Sequence, residues 1–306
     1  MTKKDRMLLV ANAGSDSLTL IDPISLSSEE ISLILDNEIE GSVGTHEIFQ
    51  SRNKAKVYTV NAHNNSVYRV DIEDKKIENV AYVGKSPAHM DVYQKYIYVT
   101  NEDSNSISVV DEEKFRLVEN IPAGEKPHGI RIDKIRKKMY IANSNECSIS
   151  IFDLNTLKEK KIYLSESPYH IYLSYNKVYV LSFMQDNLKK SCLTFFDKGT
   201  MTVIKKIYLN SIVVDMVPLD DDIIFTTDLG DGYLYKINLS NNDTVDKYYI
   251  GGMPNNMIWD EENILFITDI KKNQLIFFNY KTNEIEEIIK TGKEPSDIIF
   301  YRVTIP

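Results

Sequence analysis

The sequence predicts an all-β fold, a seven-bladed β-propeller of four-stranded antiparallel blades. Three observations predict it. Short apolar runs alternate with period two and are broken by Asn, Asp, Ser and Gly, the pattern of strands and hairpins rather than helices. One such unit, residues 84–111, is one of seven copies, with drift, along the 306-residue chain. Its period, near 40 residues, is what four short strands and their turns require.

Within a unit the strands are labelled A (inner, after a Gly-x-x-Pro junction), B, C and D (outer). Strand B is the most regular: 7–12 (MLLVAN), 56–61 (KVYTVN), 96–101 (YIYVTN), 139–143 (MYIAN), 177–182 (KVYVLS), 222–228 (DIIFTTD) and 263–269 (NILFITD). A run ending in Asp or Asn follows each, at 18–22, 67–71, 107–111, 149–153, 193–197, 234–238 and 275–279. The junction residues His46, His89, Gly129, His170, Asp215, Asn256 and Asp297 stand 43, 40, 41, 45, 41 and 41 residues apart. The register at Asp215 lacks the anchoring proline. Residues 297–301 form a junction and inner strand with no strand B after them, while 7–35 supply three strands with no junction before them. One blade is therefore expected to combine both chain ends, closing the ring and removing open sheet edges. The unbroken period makes residues 1–306 a single domain, although length alone would suggest two.

The run Tyr98-Val99-Thr100-Asn101, with its six drifted copies, resembles the YVTN-repeat β-propellers over essentially the whole chain. The resemblance implies seven blades. It implies little about activity, because that family includes surface proteins, binding scaffolds and relatives of ring-opening enzymes, and a fold hosts many functions.

Thirty-six basic against forty-five acidic side chains leave a formal charge of −9, which opposes nonspecific attraction to nucleic acid or anionic membrane. The start, MTKKDRMLLV, lacks the apolar core of a signal peptide, and no run of 18 apolar residues exists to span a bilayer. Two cysteines, Cys147 and Cys192, suit a reducing compartment, so a cytoplasmic location with two free thiols is expected. Phosphate-binding Gly loops, the Gly-x-Ser-x-Gly elbow, His-Glu-x-x-His and Cys-x-x-Cys are absent.

The side chains that could carry chemistry gather at the junctions. The Asn ending strand B and the Asp ending strand C recur too widely to form one site and are expected to bond turn backbone. Four of the five histidines fall at junctions, His46, His89, His128 and His170, joined there by Asp215, Asn256 and Asp297. Alternation puts these junctions and the B–C turns on one face, so they should ring the mouth of a central channel. His63 lies in a B–C turn on that face. The B–C turn of the fifth unit is lengthened (183–191, FMQDNLKKS) and offers Phe183 and Met184; an acidic insertion at 36–44 precedes His46. Insertions in repeat proteins map to binding faces. On the other face the turns at 50–56 and 133–138 are basic, and those at 219–222 and 260–263 acidic.

Two functions follow as expectations. The first is a binding scaffold that engages a protein or small molecule on the histidine face. The alternative is a metal-assisted lyase or lactonase-type enzyme, with His46, His89 and Asp297 as candidate ligands for Zn, Fe, Ni, Cu or Mg. Propeller lactonases and streptogramin lyases are similar in architecture and use residues at the same place, often with a divalent ion.

Overall fold

The computed structural model describes residues 6–35, 42–51, 56–185 and 190–302. Its strands run in chain order. The N-terminal three are β1 (Arg6–Asn12), β2 (Ser17–Ile21) and β3 (Ser28–Ser32). The next blade is β4 (Thr45–Gln50), β5 (Val57–Asn61), β6 (Ser66–Asp71) and β7 (Lys76–Tyr82). The third is β8 (Pro87–Tyr93), β9 (Tyr96–Asn101), β10 (Ser106–Asp111) and β11 (Arg116–Pro122). The fourth is β12 (Pro127–Asp133), β13 (Lys138–Asn143), β14 (Ser148–Asp153) and β15 (Glu159–Tyr163). The fifth is β16 (Ser167–Leu173), β17 (Lys177–Phe183), β18 (Ser191–Asp197) and β19 (Val203–Leu209). The sixth is β20 (Val213–Pro218), β21 (Ile223–Asp228), β22 (Tyr233–Asn238) and β23 (Thr244–Tyr249). The last is β24 (Pro254–Trp259), β25 (Ile264–Asp269), β26 (Gln274–Asn279) and β27 (Glu284–Lys290), before the final strand β28 (Pro295–Arg302).

These make seven four-stranded antiparallel sheets, the blades of a β-propeller. The first blade has the order β28-β1-β2-β3, with β1 and β28 paired from Arg6↔Arg302 to Asn12↔Pro295, so the C-terminal strand closes the ring as expected. The chain divides into two compact units, Met1–Val80 with Val214–Pro306, and Ala81–Val213.

Period-two alternation explains how blades stack inside each unit. In the first, Leu8 and Val10 of β1 join Phe266, Leu275 and Phe277, while the intervening Leu9 and Ala11 join Leu18, Ile48 and Tyr68. In the second, Met139 and Ile141 of β13 pack with Tyr98 and Ile107, and the intervening Tyr140 and Ala142 with Ile171 and Phe196. A middle strand buried on both faces in this way reads as a nearly continuous apolar run. Outer strands are largely exposed; β11 and β27 each bury a single side chain.

Polar side chains lock the turns. Asn12, Asn61, Asn101 and Asn143 are fully buried and donate through Nδ2 to hydroxyls of the following strand C, such as Asn143 to Ser148 (3.0 Å) and Ser150 (2.8 Å). The expected turn-backbone role therefore shifts to a cross-strand one, and Asn101 also reaches the backbone oxygen of Ser106. The Asp ending strand C does accept turn N–H groups, as Asp111 does from Glu113 and Lys114. Inner strands are stitched to the next blade by carboxylates: Asp91 accepts the Ile132 N–H, Asp215 that of Met257 and Asp297 that of Ile48, all at 2.7–2.8 Å. Cys147 and Cys192 are buried free thiols.

Candidate functional site

The second unit gathers three histidines. His89 stands on β8, His128 on β12 and His170 on β16, the inner strands of three successive blades. Their ring centroids are 4.6 Å (His89–His128), 4.7 Å (His89–His170) and 5.1 Å (His128–His170) apart. Tyr169 adds a fourth ring, stacked on His128 at 3.8 Å and on His170 at 4.5 Å. The rings of His128, Tyr169 and His170 are nearly parallel, and His89 meets the two histidines edge-on.

Backbone features place the rings. Each inner strand is irregular beside its junction proline; the register jumps from Pro87↔Asn101 to Met90↔Val99 and from Pro168↔Ser182 to His170↔Leu181. Thr100, the threonine of the YVTN run, donates to the His128 carbonyl (2.6 Å) and accepts the His89 N–H (3.1 Å), so one hydroxyl ties both backbones. Gly129 permits the close approach of β12 and β16: a Cβ there would lie 2.6 Å from the Tyr169 carbonyl oxygen and 3.0 Å from His170 Cα. His170 is oriented by Tyr172, whose hydroxyl is 3.1 Å from Nδ1.

A carboxylate borders the cluster. Glu102 begins the turn after β9, where its N–H bonds the Ser86 carbonyl of the junction, and its Oε1 is 3.5 Å from His128 Nε2. Burial pushes the Glu102 carboxyl above its ordinary range, against the opposing pull of Lys126 and His89. Burial likewise pushes the Tyr169 phenol up to about 12, helped by the Glu102 charge. At neutral pH that phenol keeps its proton and is a donor. Phe183 extends the aromatic wall, 5.0 Å from Tyr169.

Ring nitrogens of His89 and His128 lie within 4.8 Å of each other, close enough to share one divalent ion. Two imidazoles beside a carboxylate form a donor set that suits borderline metals such as zinc. The residues present therefore fit a divalent metal, the cofactor expected from the sequence; of the ligands expected for it, His89 belongs to this pair, whereas Asp297 does not.

The other sequence candidates are placed as follows. Met184, half-buried, closes the loop after β17 through its N–H to Lys190; residues 186–189 and the 36–41 part of the acidic insertion lie outside the described residues. His46 is half-buried on β4, and His63 is exposed with Nδ1 3.0 Å from Ser42 Oγ. The pairing Thr45↔Asn61 makes Thr45 the counterpart of Pro87 and Pro168, so Glu47, not His46, occupies the register position of His89 and His170. Asp297 is buried; burial, with the charges of Glu47 and Asp215, pushes its carboxyl well up, and Oδ2 accepts the Ile48 N–H. Asp215 is engaged with Met257, and Asn256 bonds Thr268 through its backbone N–H (3.0 Å).

Sequence reading missed Glu102, Tyr169 and Tyr172. Glu102 was findable, since it directly follows Asn101 in a B–C turn on the junction side. The tyrosines carry no separate signal, because an inner strand rich in aromatics reads as packing.

No family model and no curated protein matches the chain. Solved structures do. The Kuenenia stuttgartiensis hydrazine synthase aligns with 89% of this chain and 100% of that chain at TM-score 0.76 and 17% identity. A 6-phosphogluconolactonase candidate from Bacteroides fragilis aligns over 97% and 98% at 0.74 and 16%. A streptogramin B lyase aligns over 87% and 93% at 0.70 and 15%. At such identities the likeness shows the fold alone.

Proposed function

We propose that this chain is a metal-assisted enzyme acting on a small molecule, of the lyase or lactonase-type hydrolase class, with its site at His89, His128, His170, Glu102 and Tyr169. The observation that carries the reading is the convergence of three imidazoles from three successive blades, with a carboxylate 3.5 Å from one of them. The likeness to a streptogramin B lyase and a lactonase candidate supports it. A bound divalent ion would act as a Lewis acid on a carbonyl or ester oxygen. His89 and His128 would hold it. Glu102 would take a proton from substrate or water, and the Tyr169 phenol would donate a hydrogen bond. The Tyr172 hydroxyl fixes the ring of His170, a positioning role.

The YVTN-like runs support grouping the chain with the YVTN-repeat propellers, and two free thiols support a cytoplasmic home. A pure scaffold engaging a protein or small molecule is the second reading, favoured by Phe183 at the head of the lengthened loop.

Turnover separates the two. Protein loaded with zinc, manganese or magnesium is assayed on a panel of lactones and cyclic esters, followed by the reaction of His128→Ala and Glu102→Gln. The enzyme reading expects turnover that falls about 10²–10⁴-fold in each variant. Rates unchanged by both substitutions, or none at all in metal-loaded protein, would move the assignment to the scaffold. His46→Ala is measured alongside, since His46 is the donor that the sequence nominates beside His89.

A further inference from the structure

Within the first unit, and independent of the histidine cluster, a cleft of about 680 Å³ opens among β1, β25–β28 and the turn after β2. Its volume lies in the range of small-molecule sites. Its floor is aromatic: Phe266 meets Phe277 edge-on at 4.7 Å and Phe300 edge-on at 5.8 Å. The guanidinium of Arg6 already sits over the Phe300 ring, 5.3 Å from its centroid, so this floor accommodates a cation. The wall is acidic. Among the described residues, Glu261, Glu262, Glu286 and Glu287 line it against one basic side chain, that of Arg6. Asp260 is committed elsewhere, with Oδ1 accepting the N–H groups of Glu262, Asn263 and Ile264, and so shapes the turn that carries two of these glutamates. The lip is apolar, with Ile24 62% exposed beside Leu26.

We propose that this cleft is a second binding site, for an organic ammonium ion carrying an apolar or aromatic body. The body covers the phenylalanine floor and the Ile24 lip, and the ammonium faces the glutamates. Anionic ligands are repelled by the wall, and neutral apolar ones gain the floor alone. This gives the acidic turn at 260–263 a use that the histidine site does not.

The test is calorimetric titration of the whole chain with 4-phenylbutylammonium, and with 4-phenylbutanol as the neutral control. One ammonium per chain should bind at least tenfold tighter than the alcohol, and more weakly as salt rises. Glu262→Gln/Glu287→Gln, both at exposed positions, should cost the ammonium about tenfold and leave the alcohol unchanged. Phe300→Leu, which keeps apolar bulk but removes the ring that the ligand's aromatic body packs on, should cost roughly 3- to 10-fold. Equal binding of ammonium and alcohol, wild-type affinity in the double variant, or no binding at millimolar ligand would each overturn the proposal.

Discussion

At the scale of single residues, Gly129 decides how closely two inner strands meet. Its missing side chain lets the Tyr169 backbone approach, and the His128–Tyr169 stack at 3.8 Å depends on that approach. Gly129→Ala should destabilise the protein by about 1–3 kcal/mol, the usual cost of overpacking, because the contacted atoms are backbone and cannot rotate away. Urea unfolding gives the figure directly. A variant as stable as the parent would mean that β12 and β16 are free to part. The residue scale is also where sequence reading was weakest. His89, His128 and His170 were legible as a cluster because histidine is rare in this chain and their spacing repeats. Glu102 was not, because a glutamate in a polar turn looks like any solvated charge until its neighbour is known.

At the scale of elements, a buried ion pair ties the turn after β12 to the turn after β18. Lys198 Nζ stands 2.8 Å from Asp133 Oδ2 and also donates to the Ser174 carbonyl, while Asp133 Oδ1 accepts the Ile135 and Arg136 N–H groups. Burial would raise the Asp133 carboxyl, but the Lys198 bond and the Arg136 N–H outweigh it and hold the group at about 2, below its ordinary 3.8. A carboxyl lowered by folding adds stability that is complete above the unfolded value and is lost as pH falls toward 2. The shift corresponds to about 2 kcal/mol. Asp133→Asn should show that deficit at pH 7 and lose most of it at pH 2.5, in paired denaturant melts; a deficit independent of pH would contradict the ionic account. Strand positions were legible for physical reasons, since each strand B is buried on both faces and each turn is marked by Asn or Asp. Register was less so. Thr45 replaces the junction proline in β4, and without that marker the sequence alignment slipped by one residue, setting His46 where Glu47 belongs.

At the scale of the molecule, the seven-fold repeat made the propeller legible, because every copy carries the same two buried runs. Closure was legible as well, since each end of the chain lacks what the other supplies. The pairing of β1 with β28, with the added bonds from Asp297 to the Ile48 N–H and from Ser296 to the Thr45 carbonyl, makes the last strand structural out of proportion to its length. Deleting residues 295–306 should abolish cooperative unfolding, read by circular dichroism on heating, whereas an unchanged transition would mean that the ring needs no latch. What the repeat could not disclose is activity, because repetition reports what blades share, whereas the proposed site draws on side chains that three of them do not share with the rest. The most direct measurement is therefore a cobalt(II) titration followed by visible absorption, on the parent and on His89→Ala/His128→Ala. Saturation near one equivalent with the spectrum of nitrogen-ligated cobalt, lost in the double variant, is the predicted result; a parent that binds none, or a variant that binds as well, would contradict the metal-assisted site.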